Sequence, residues 1–144
     1  MVHALELVHD LLVKGGILVD IHPTGDPPRI EVRLGDHLHL AGWLNETDDY
    51  IEYAQANQAL NEVVEQGLFA LEREGVFSFS TGADSLGDLR SYLAETWQDA
   101  VIDEVVAGLV DEIMQSPEID KELILREQVN IACFRRLNAA GPQG

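Results

Sequence analysis

Asp20 and His22 stand two residues apart in the run Ile17-Leu18-Val19-Asp20-Ile21-His22, and His37 and His39 repeat that spacing further along. On a strand, residues two apart point to the same face. If the two segments folded together, one carboxylate and three imidazoles would meet. Two histidines with one carboxylate form a ligand set that suits zinc or non-haem iron, so Asp20, His22, His37 and His39 are the candidate metal ligands. The plainer account makes them polar residues at a strand end and on the wet side of a hairpin.

Other reactive types have simpler explanations. Cys133 lies in the strand-like run Val129-Asn130-Ile131-Ala132-Cys133. A nucleophilic thiol needs a base and access, whereas this setting suggests a buried, structural one. As the single cysteine, it excludes an intrachain disulfide and fits a reducing cytoplasm. Ser85 sits in Ala83-Asp84-Ser85-Leu86-Gly87, which is no glycine-flanked nucleophile elbow, and helix capping accounts for it. The aromatics Trp43, Tyr50, Tyr53 and Trp97 suit core packing or a dimer interface. The adjacent carboxylates Asp48-Asp49, Asp103-Glu104 and Asp111-Glu112 read as solvated helix faces.

Charge narrows the partners. Against 26 acidic residues stand 9 basic ones, for a net charge of −17. Binding nucleic acid or anionic lipid requires clustered Lys and Arg to neutralise phosphates, so neither partner is expected. No stretch approaches the roughly 20 apolar residues of a bilayer span, and the N-terminus lacks a secretory pattern. The expectation is an acidic cytoplasmic protein.

These residues need elements to hold them. Apolar positions from Val2 to Val13 recur at helical spacing, and Gly15-Gly16 stops that helix. Ile17 to Ile21 then reads as a buried strand, giving an α/β signature. Pro23 to Pro28 marks a loop. Ile30 to Leu34 and His37 to Ala41 form a β-hairpin about Gly35-Asp36. Asn45 or Thr47 caps a long helix, with Asp48 and Asp49 in its first turn. That helix is predicted to run to Glu74, burying Tyr50, Tyr53, Leu60, Val63, Val64, Leu68 and Leu71, and Gly75 ends it. Val76 to Ser80 alternates as a strand. Helices follow from Ser85 and from Asp99, the latter interrupted at Ser116-Pro117. The alternation from Leu123 to Cys133 is a long last strand. Without repeats or composition shifts, residues 1–138 are expected to be a single α/β domain, with 139–144 a disordered tail.

Three segments carry a family resemblance. Leu7 to Ile21 ends a helix in Val13-Lys14-Gly15-Gly16 before a strand, Phe77 to Leu93 joins a strand to a helix, and Val129 to Leu137 closes on Arg135-Arg136. In this order they resemble the C-terminal half of class I S-adenosylmethionine-dependent methyltransferases. The turn before the first strand lacks the proline that the family often has there. The resemblance implies half of a Rossmann-like mixed sheet whose antiparallel last strand lies between Ile17 to Ile21 and Val76 to Ser80, with a β-hairpin and packed helices besides. It also implies that the glycine-rich donor turn and the acidic ribose-binding residue would precede this chain. No cofactor is therefore expected from this chain alone. In a methyl-transfer setting Asp20 or His22 would orient or deprotonate an acceptor, which makes them the candidate catalytic residues.

The missing half would normally cover the outer edge of the first strand. A bare strand edge invites pairing, so the hairpin or a second copy must cover it, and a homodimer is expected. The leading expectation for function is a non-catalytic, methyltransferase-like module that binds a partner or a small ligand. The alternative is part of a split or truncated methyltransferase whose donor-binding half comes from a protein partner. A small metal-dependent enzyme is a third possibility.

Overall fold

The computed structural model describes residues 1–46 and 49–138. Thr47, Asp48, the side chains of Asp49 and Tyr50, and the 139–144 tail lie outside it, and so do the expectations placed on them. The chain forms two compact units, each assembled from separated segments. Two of the four boundaries, at 77/78 and 128/129, fall within long strands, where sequence composition has no reason to change, and the others fall at 25/26, between strands, and at 48/49, where a helix starts.

The first unit comprises Met1–Gly25, Asp49–Phe77 and the chain from Val129 onward. It opens with helix α1, Val2–Leu11, which packs Val2, Leu5 and the following Leu12 onto the core. Leu12 turns extended, and Gly15 takes a φ of +69°, a conformation that favours glycine. The chain then enters strand β1, Ile17–Pro23. Helix α2, Asp49–Glu65, and the start of strand β4, Phe69–Ala83, follow in this unit. The end of strand β5, Lys121–Arg136, completes it. Leu60, Val63, Phe69 and Phe134 form the core, joined by Leu18, Val64 and Leu68.

The C-terminal end of β5 is clasped at several points. His9, buried in α1, donates from Nε2 to the Leu137 carbonyl at 2.8 Å and sets its ring edge-on to Phe69. Arg136 donates from Nε to the His9 carbonyl at 2.7 Å, and the Leu137 amide donates to Leu68 O.

The long helix stops earlier than its spacing predicts. Leu60, Val64, Leu68 and Leu71 extend a helical stripe, yet Gly67 takes a φ of +77° and turns the chain out of α2. Leu68 and Leu71 thus belong to the turn and to β4, and Gly75, expected as a stop, lies within that strand.

The second unit comprises Asp26–Asp48 and Ser78–Gln128. Strands β2, Arg29–Leu34, and β3, His37–Trp43, form the expected hairpin, with Gly35 at a φ of +57°. Helix α3, Leu86–Thr96, begins at Ser85, whose Oγ accepts from the Asp88 amide at 3.1 Å. Helix α4, Glu104–Met114, is capped by Asp103, whose Oδ1 accepts from the Val105 amide at 2.9 Å. The cap thus lies four residues beyond Asp99, the position expected from the sequence. Asn45 and Val101 instead exchange two backbone hydrogen bonds, which hold the chain extended short of α4. Asn45 is accordingly a bridge residue and not a helix cap.

Ile30, Val32, Leu44, Leu89, Val110, Leu123 and Leu125 are fully buried in this unit, and Trp97 packs against them. Trp43 is exposed. A side chain at Gly42 would collide with Val106, so only glycine lets β3 lie this close to α4. The carboxylate of Glu31, nearly all buried, accepts from Arg126 Nε at 2.8 Å.

The strands pair in the order β1-β5-β2-β3, with β4 also on β5. As expected, the last strand therefore has both β1 and β4 as partners. The registered pairs β1·β5, β2·β3 and β2·β5 are all antiparallel, so an antiparallel sheet replaces the mixed one expected. The hairpin's partner is the Lys121–Arg126 stretch of β5 and not β1.

Candidate functional site

The side chains of β1 alternate. Leu18 reaches the core of the first unit, and Asp20 and His22 share its parity. Asp20 Oδ2 lies 2.5 Å from His22 Nδ1, and His22 Nε2 lies 3.0 Å from Asn57 Oδ1 on α2. The His22 side chain is 12% exposed. Across the sheet, His22 stands opposite Asn130 and Asp20 opposite Ala132.

These groups line a cleft of about 440 Å³, within the size range of small-molecule sites. α2 supplies Asn57 and, one turn on, Asn61, with Leu60 and Val64 beside them. β4 supplies Leu71, Glu74 and Val76, and β5 supplies Asn130 and Phe134. The result is a cleft with apolar walls and several convergent polar groups.

The Asp20 carboxylate fixes the imidazole by taking a hydrogen bond from Nδ1–H, as carboxylates orient functional histidines elsewhere. At the other nitrogen, an amide oxygen calls for a second N–H, making an imidazolium. With the Asn57 amide turned over, its NH2 donates to a neutral ring. In both arrangements Nε2 points at α2, where a ligand can replace the Asn57 side chain.

Asp20 and His22 are thus brought together as their spacing suggests. His37 and His39 lie exposed on β3, in the second unit. Among the described residues no three His, Cys, Asp or Glu side chains are grouped to hold a metal ion. Asn57, Asn61 and Asn130 were missed. Their one signal is polar residues set beside an apolar stripe, Asn57 and Asn61 flanking Leu60 and Val64.

The opposite parity of β1 forms a second feature. Ile17, Val19 and Ile21 are 41%, 53% and 58% exposed, although the strand was expected to be buried. They face Arg135, Cys133 and Ile131 of β5 in register. Cys133 is consequently half-buried on this open face instead of deep in the core. Arg135 donates to Glu72 through Nε and, at 3.2 Å, through Nη2, and that carboxylate raises the guanidinium pKa.

No known protein-family model matches this chain, and no curated protein or solved structure does.

Proposed function

We propose that the chain is an interaction module that pairs with a second copy of itself through the open face and outer edge of β1. The observation that carries this reading is the row Ile17, Val19 and Ile21, exposed beside Cys133 and Ile131. A contiguous apolar surface of this kind marks an interaction site in a soluble protein. Among the described residues β1 pairs with β5 alone, which leaves an edge able to accept an antiparallel copy.

Charge favours a second copy as the occupant. The net charge is −17, so most approaches of one copy to another set carboxylates against carboxylates. This patch is apolar, and among the described residues its neighbouring charges, Arg73 and Arg135 with Glu72 and Glu74, sum to zero. Fully burying an exposed Val or Ile side chain contributes about 1.5–3 kcal/mol, and each of these three, 41–58% exposed, gains about half of that where a second copy covers it.

Light scattering tests the reading. The parent protein is expected at twice the chain mass of 15.9 kDa, and Val19→Glu at the monomer mass with an unchanged circular dichroism spectrum. A parent that stays monomeric as concentration rises sinks the proposal.

A second reading has its own support. The pairing of β5 with both β1 and β4 agrees with the arrangement implied by the methyltransferase resemblance, in which the partner would supply a donor-binding half. Calorimetry with S-adenosylmethionine separates the two readings. Saturable binding to the dimer favours a rebuilt donor site, and a dimer without binding favours the plain interaction module.

A further inference from the structure

We infer that the cleft of the first unit binds a small organic cation, a protonated amine carrying an apolar body. The inference stands on the cleft and not on self-association. Every described lining residue belongs to the first unit, and Asp20 and His22 lie on the face of β1 opposite Val19, while Glu74, Ile131 and Ala132 border the open face as well.

The charge of the lining selects the ligand class. Among the described residues, Asp20, His22 and Glu74 are its ionisable groups, and no Lys or Arg contributes. Whichever protonation state His22 takes, the two carboxylates leave the lining negative. An ammonium group gains from that field, while a carboxylate or phosphate is repelled. Asn57, Asn61 and Asn130 add amide oxygens that accept from N–H donors. Leu60, Val64, Leu71, Val76 and Phe134 offer an apolar surface for the rest of the molecule.

Pre-organisation supports binding as well. Asp20 holds the His22 ring through Nδ1, and Asn57 meets its other nitrogen. With His22 neutral and the Asn57 amide turned over so that its NH2 donates, Nε2 is an acceptor, and an N–H donor entering the cleft can take over that contact without reorienting the imidazole. This lowers the ordering cost of association.

Three probes of one shape test the inference: phenethylamine, 2-phenylethanol and phenylacetate, titrated into the parent protein and followed by side-chain amide NMR signals. Phenethylamine is expected to shift the Asn57 and Asn130 signals saturably, the alcohol more weakly, and phenylacetate not at all. Glu74→Gln should weaken the amine by about tenfold, equivalent to about 1.4 kcal/mol. Asn130→Ala supplies a second variant if that one folds poorly, and should weaken the amine too. Equal binding of the carboxylate overturns the inference, as does the absence of any saturable shift with the amine. Monomeric protein that still binds the amine would refute self-association and leave this site standing.

Discussion

Glu127, on β5, keeps its carboxyl partly out of water, and burial raises its pKa from the ordinary carboxylate value. The folded state therefore holds this proton more tightly than the unfolded chain does. The associated stability is fully present below the unfolded carboxylate range and is lost as pH rises through the raised folded value. Glu127→Gln should raise the melting temperature at neutral pH by roughly one to a few degrees, with the gain fading towards about pH 4. A gain that does not vary with pH would show that the carboxyl is not the cause. The Asp20 and His22 pair was legible at this scale because residues two apart on a strand need only the strand to meet. Asn57 was not, since its contact with His22 spans 35 positions and depends on how α2 crosses the sheet.

Local chemistry explains which elements could be read. Ser85 was legible as a cap because its role involves only the next few residues. Asp103 was passed over in favour of Asp99, because the bridge that holds Val101 extended comes from Asn45, far away in the chain. Asp103→Ala should cost about 1 kcal/mol in urea unfolding, whereas Asp103→Asn, which keeps an acceptor, should cost much less. Equal losses would mean that the cap hydrogen bond contributes little. The end of α2 was misread for a related reason. Leu68 and Leu71 continue the helical period of Leu60 and Val64, while Phe69 and Leu71 fit a strand period equally well, and the deciding residue, Gly67, acts through its backbone conformation. Phe69 opens β4 with no exposure. Phe69→Ala should cost about 3–5 kcal/mol and remove the ring that His9 meets edge-on.

For the whole molecule, the acidic surface and the bare face of β1 act in opposition. Like-charge repulsion between copies weakens with added salt, while burial of Ile17, Val19 and Ile21 persists. The proposed self-association, measured by sedimentation, should tighten between low and physiological ionic strength. Loosening would point to an interface held by ion pairs instead. The α/β class and most strands followed from apolar period alone. The division into two units did not, because β4 and β5 each begin in one unit and end in the other. Neither unit corresponds to an unbroken stretch of chain.

Cys133, opposite Val19, gives the open face a built-in chemical reporter. The chain has no other thiol, so an alkylating reagent labels one known position without mutagenesis. Its reaction rate then tracks coverage of this face. Dilution should speed labelling of the parent protein as copies separate, and the Val19→Glu variant should label at a rate independent of concentration. The same thiol would make the protein age unevenly under air. Oxidation to a polar sulfur acid would place charge on the apolar row, so old preparations should lose self-association before they lose their fold.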